Sequence, residues 1–141
     1  MWIADRDVTL YHGDALDVLR RMPERSVHMV ATSPPFYGLR DYGTEGQIGL
    51  EDTPEQLVER LVAVFAECRR VLRDDGTLWV EIGDSYCANV RSGLGILDNE
   101  AYAPNSWSGK QATQTGRHPT KQKDLLGQPW LLAFALRADG W

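Results

Sequence analysis

An α/β fold with about three parallel strands and flanking helices is the class this sequence predicts, and three observations carry it. Short β-prone runs alternate with segments whose apolar residues recur at helical spacing. The helical segments open on residues that cap helices. The run Val27-His28-Met29-Val30-Ala31 is apolar enough to be buried on both faces, as strands of parallel sheets are.

In chain order, Val8-Thr9-Leu10-Tyr11-His12 reads as a first strand that stops at Gly13-Asp14. Asp14 is placed to cap a helix carried by Leu16, Leu19 and Met22, and Pro23 ends it. Val27 to Ala31 is the second strand. A glycine-rich loop follows through Gly38, Gly43, Gly46 and Gly49, and so many glycines predict a mobile cover over a site. Thr53-Pro54-Glu55-Gln56 starts the next helix, with Thr53 as N-cap, Pro54 at the first helical position and Gln56 completing a capping box. Its apolar stripe runs from Leu57 through Leu61, Phe65 and Cys68 to Leu72, about five turns. Cys68 lies on that stripe as a packing residue.

Asp74-Asp75-Gly76 closes this helix, and Thr77 to Ile82 reads as the third strand, ending at Gly83-Asp84-Ser85-Tyr86. Residues 88 to 123 lack periodicity and read as one long loop insertion. Between Lys123 and Arg137 the set Leu125, Leu126, Trp130, Leu131, Phe134 and Leu136 predicts a last helix, with Gly127-Gln128-Pro129 marking its start or a kink. Three strands leave one sheet edge open, so the expectation is an incomplete domain, part of a larger α/β fold.

Composition narrows the function. With 141 residues the chain supports one core. No apolar stretch is long enough for a membrane span, and no signal peptide is read. Cys68 and Cys87 lack metal-ligand spacing, so neither a metal site nor a disulfide framework is expected, and a reducing, cytoplasmic compartment fits. The net charge of −5 gives no global argument for nucleic acid. Ala101 to Lys123, however, holds no acidic residue but carries Lys110, Arg117, Lys121 and Lys123, which suits either phosphate contact or a solvated loop.

The most informative residues are Thr32-Ser33-Pro34-Pro35-Phe36, directly after the second strand. Two successive prolines stiffen the backbone and leave carbonyls free of local N–H partners. The carboxyl end of a buried strand is where open α/β sheets bind substrates. Ser33 and the Pro34 carbonyl then form two acceptors at fixed spacing beside the flat face of Phe36. Such a corner fits a planar ring that bears an amino group.

Through these and further residues the chain resembles the N4-cytosine/N6-adenine DNA methyltransferases, in the permuted subgroup whose catalytic half comes first. The resemblance rests on Gly13-Asp14-Ala15-Leu16, on Thr32 to Gly43, on Gly83-Asp84-Ser85-Tyr86, and on Lys123 to Trp130 running into Phe134 to Trp141. It implies a Rossmann-like methyltransferase fold and S-adenosylmethionine as cofactor. Residues 1–141 would be the catalytic half of the domain, since nothing in the chain matches the family's glycine-rich cofactor loop. The implied activity is methyl transfer to an exocyclic amine of a flipped base in double-stranded DNA, in a prokaryotic or phage restriction-modification setting with a restriction endonuclease as a further partner.

The resemblance assigns the catalytic strip to Ser33, Pro34, Pro35 and Phe36, with Phe36 as stacking platform. It places Asp14 and Thr32 near the cofactor, although helix capping explains Asp14 equally well. Tyr37, Arg40 and Asp84 are expected at the substrate: Arg40 at phosphate, at the orphaned base or paired with Asp41, and Asp84 at the base or holding the catalytic loop. Serine at the first motif position and Phe36 in place of tyrosine tilt the target toward N4 of cytosine. The alternatives are N6 of adenine, an RNA or protein amide substrate, and a non-catalytic fragment that binds nucleic acid.

Overall fold

The computed structural model of the protein describes residues 3–4, 7–87, 121 and 123–141. Its elements are β1 (Ile3–Ala4), β2 (Thr9–Leu10), α1 (Ala15–Arg21), β3 (Val27–Thr32), α2 (Pro54–Val71), β4 (Leu72–Val80) and α3 (Gln128–Ala138). The insertion expected at 88–123 lies outside the described residues, apart from 121 and 123.

The α/β alternation is present, but the described residues hold two parallel strands rather than three. β3 and β4 pair in parallel, while β2 forms a separate antiparallel ribbon with β1. The run from Val8 to His12 therefore does not join the main sheet. Val8 and Leu10 both remain more than half exposed, so this segment has no buried face to gain by docking on β3. It meets its backbone hydrogen bonds locally instead.

α2 is the organising element. Thr53 Oγ1 accepts from the Gln56 amide at 3.2 Å and Gln56 Oε1 accepts from the Thr53 amide at 3.3 Å, the reciprocal box the sequence predicts. Leu57, Leu61, Phe65 and Cys68 recur at three- and four-residue spacing and are all buried. Burial pushes the Cys68 thiol above its ordinary pKa, which fits a packing residue. Arg70 reaches across to the end of α1 and donates to the carbonyls of Met22 (3.0 Å) and Leu19 (2.7 Å), the latter also accepting from the Met22 amide.

The turn expected at Asp74-Asp75-Gly76 takes another form. α2 passes directly into β4, and the register jumps from Val27 beside Leu72 to Met29 beside Thr77. Four residues of β4, Arg73 to Gly76, thus stand against the single residue His28 before regular pairing resumes. From there Val30, Leu78, Val80 and Ile82 pack toward the helices. Met29 and Trp79, on the other face, stay 58% and 65% exposed. The expected burial on both faces is accordingly met on one only, because α1 and α3 pack against α2 rather than across the sheet.

α3 starts at Gly127-Gln128-Pro129, so this tripeptide is a helix start and not a kink: Gly127 is the N-cap at φ 78° and Pro129 lies in the first turn. A short zipper joins this region to the end of β4. The Leu126 amide donates to Ser85 O at 2.9 Å, the Cys87 amide to Asp124 O at 2.8 Å and the Lys123 amide to Cys87 O at 2.9 Å.

Candidate active site

The junction after β3 takes its shape from the register of the sheet. Thr32 pairs with Val80, and the Glu81 amide then donates to Thr32 O at 3.0 Å, which carries the ladder one residue further. Ser33 and Glu81 therefore stand side by side at the carboxyl rim. Ser33 Oγ donates to Glu81 Oε2 at 2.7 Å. A carboxylate acceptor fixes the direction of the hydroxyl hydrogen and leaves the oxygen lone pairs pointing elsewhere.

Beyond Ser33 the two prolines carry the chain into a turn, closed by the Leu39 amide on Phe36 O at 3.3 Å. Ser33, Pro34, Pro35, Phe36, Leu39, Arg40 and Tyr42 line a cavity of about 320 Å³. That is at the lower end of the roughly 300–1,000 Å³ of small-molecule sites. Ser33 is exposed, Phe36 is half-buried and Pro34 is buried. Ser33, Pro34 and Phe36, singled out in the sequence, thus line one cavity.

The glycine loop, expected as a mobile cover, supplies one wall of this cavity and is hydrogen-bonded to α2. Arg60 of α2 donates to Gly46 O (2.6 Å), Gln47 O (3.0 Å) and Glu51 Oε1 (2.9 Å), while Glu51 Oε2 accepts from the Gly49 amide at 2.9 Å. Gln47 bridges the Arg40 carbonyl and the Tyr42 amide at 2.9 and 2.7 Å. Arg60 and Glu51 thus hold Gly46, Gln47 and Gly49 by charge-assisted bonds, which are stronger than neutral ones, and the Gln47 amide passes this anchoring on to Arg40 and Tyr42. At Gly49, φ is 110°, and an added Cβ would lie 3.1 Å from Pro35 Cβ, so this closure requires glycine.

The other expected site residues take different places. Tyr37 is in the core, 2% exposed, with its hydroxyl donating to Asp52 O at 3.1 Å. The turn after Pro35 sends the two adjacent aromatics apart, Phe36 to the cavity and Tyr37 against α2, so Tyr37 does not reach a substrate there. Asp14 caps α1 by accepting from the Asp17 amide at 3.1 Å, and neither Asp14 nor Thr32 lines the cavity. Arg40 lines the cavity as expected. Asp84 engages both carboxylate oxygens with amides: Ser85 (2.8 Å) and Gln128 (3.0 Å) on Oδ1, and Gly127 (3.0 Å) on Oδ2. It caps α3, whose own N-cap glycine has no side chain to do so.

Burial, reinforced by the carboxylates of Asp52, Glu55 and Glu51, pushes the Tyr37 phenol up from 10.0 to about 12. A raised folded-state pKa contributes stability that is intact below pH 10 and lost as pH rises toward 12. Between these values only the unfolded chain ionises, and stability falls by about 1.4 kcal/mol per pH unit. The expected result is that urea denaturation at pH 9 and pH 11 shows a larger loss for the native chain than for Tyr37→Phe. Equal losses would remove the burial argument.

The residue that sequence reasoning missed is Glu81. Its position at the end of an alternating run Leu78, Val80, Ile82 marks it as facing away from the helices, but only the register with β3 sets it beside Ser33.

The sequence model of the N6/N4 DNA methylase family matches residues 27–131. Among curated proteins, the chain is 54% identical to Type II methyltransferase M.XycI of Xanthomonas campestris pv. cyanopsidis, over 96% of this chain and 44% of that protein. It is 52% identical to Type II methyltransferase M.Cfr9I of Citrobacter freundii, over 94% and 43% respectively. DNA adenine methyltransferase YhdJ of Escherichia coli is 32% identical over 51% of this chain and 24% of its own length. The chain thus spans less than half the length of the first two relatives. No solved structure matches it at a significant level.

Proposed function

Because this chain belongs to the N6/N4 DNA methylase family, we propose that its cavity receives an amino-bearing base turned out of double-stranded DNA and presents the exocyclic nitrogen for methylation, N4 of cytosine being the target. The observation that carries the reading is the Ser33 hydroxyl, its hydrogen committed to Glu81, on the wall of a base-sized cavity. With that hydrogen withdrawn, Ser33 Oγ is an acceptor for one amine N–H, and the Pro34 carbonyl is an acceptor for the other. Two acceptors in line with the N–H bonds draw nitrogen toward a tetrahedral shape and localise its lone pair. They bind most strongly when positive charge has grown on nitrogen, which is transition-state stabilisation. The proton that the nitrogen must then release has a path through Ser33 Oγ to the Glu81 carboxylate.

Phe36 supplies the stacking surface. Turning a base out of the duplex costs a few kcal/mol, and stacking on an aromatic ring returns roughly 1–3 kcal/mol. We assign Arg40, on the loop wall, to the DNA backbone. We take the fold to be the amino-terminal part of a Rossmann-like methyltransferase sheet, and the whole protein to act in a restriction-modification system with an endonuclease partner.

S-adenosylmethionine, the donor the family resemblance implies, would supply an electrophilic methyl group. The two residues expected to hold it are not brought to the cavity. Asp14 spends its carboxylate on the α1 amide and faces solvent, Thr32 gives its carbonyl to the sheet, and neither lines the cavity. The chemistry derived above is therefore confined to holding the base, orienting its amine and taking its proton.

The test is methyl transfer by the intact gene product from tritium-labelled S-adenosylmethionine to duplex DNA, with RNA and protein as controls, followed by digestion to nucleosides. Label in N4-methylcytosine is the expected result. A second reading, N6 of adenine, is favoured by the similarity to a DNA adenine methyltransferase, and label in N6-methyladenine would establish it. Label in RNA or protein alone would displace both.

A further inference from the structure

Phe36 stands between the cavity and the backbone of Gly83, and the contact is unusually close. A Cβ built on Gly83 would lie 2.7 Å from Phe36 Cε2, 3.0 Å from Cδ2 and 3.4 Å from Cζ. Carbon atoms in good contact sit about 3.5–4.0 Å apart, so an alanine here would require the ring edge to retreat by about 1 Å. Gly83 is not among the glycines with positive φ, so backbone conformation does not demand glycine. The space does.

The strand end is the less yielding partner. Gly83 is followed by Asp84, whose carboxylate holds three amides including the first two of the α3 start, and by Ser85, whose hydroxyl donates to Tyr37 O at 2.9 Å. The ring has open volume on its other side, because Phe36 lines the cavity and Gly83 does not. A side chain at 83 would accordingly drive the ring into the space the base is to occupy.

We infer that Gly83 is a positioning residue for the base platform: its missing side chain lets the Phe36 ring lie back against the strand end, which sets the depth of the cavity. This rests on the reading of Phe36 as the surface a flipped base stacks on. The role is steric, and it acts wholly through the ring.

The experiment is a double-mutant cycle in the intact gene product, with Gly83→Ala, Phe36→Ala and the combination, read by single-turnover methyl transfer to duplex DNA and by melting temperature. The expected result is that Gly83→Ala loses roughly a hundredfold in rate, as a misplacement of about 1 Å does, while its melting temperature is kept. In the Phe36→Ala background the same substitution has no further effect. Additive losses, or native rates in Gly83→Ala, would overturn the inference and leave the platform standing. Native rates in Phe36→Ala would instead remove the platform. Should Gly83→Ala fail to fold, folding regained in the combined variant supports the steric role, and failure of both overturns it.

Discussion

Replacing Ser33 by alanine is expected to lower kcat for methyl transfer by about 10²–10³-fold, the usual cost of removing one preorganised hydrogen-bonding group from a charge-developing transition state. The loss should fall on kcat with KM for DNA nearly unchanged, because the hydroxyl makes its strongest contact only as nitrogen becomes cationic. Thermal stability should hardly move, since Ser33 is exposed and packs no apolar surface. Glu81→Ala is the informative companion. Ser33 Oγ lies 2.7 Å from Glu81 Oε2, so losing the carboxylate frees the hydroxyl to turn its hydrogen toward the amine. Its effect should match that of Ser33→Ala and should largely vanish in the Ser33→Ala background. Full activity in either single variant would withdraw the amine-orienting role.

Phe65→Ala is expected to destabilise the folded chain by about 3–5 kcal/mol, the range for truncating a buried phenylalanine, with a corresponding shift of the urea midpoint. Phe65 is 2% exposed in the middle of α2, inside the cluster that includes Tyr37, Leu61 and Leu132. Its loss opens a cavity between the sheet face and the helix that α1 and α3 both pack on. The site feels the same event, because α2 also carries the Arg60 clamp on the loop wall. Phe134 of α3 is the control: its ring is 60% exposed, beneath the Arg137 guanidinium at 5.1 Å. Phe134→Ala should cost only a small fraction of the Phe65 effect, and similar costs would contradict the placement of the core.

The helix starts were legible because their causes are local. A capping box needs only Thr53, Pro54 and Gln56, and Asp14 meets the Asp17 amide three residues on. The Ser-Pro-Pro-Phe corner was legible for the same reason, since proline fixes its own backbone. The fate of Tyr37 was not. Phe36 and Tyr37 are neighbouring aromatics with similar apolar content, and only the direction of the turn assigns one to the cavity and the other to the core. Asp84 shows the limit again, because its partners Gly127 and Gln128 lie 43 and 44 residues away.

By itself the sequence determined the α/β alternation, the bounds of the helix starts and a rigid acceptor corner at a strand end, all consequences of interactions within a few residues. The pairing of Ser33 with Glu81, the seat of Phe36 on Gly83, the pinned loop wall and the detached first strand were decided only by the tertiary structure. Each depends on strand register or on packing between distant segments, where burial and steric fit choose among options that local propensity leaves equal.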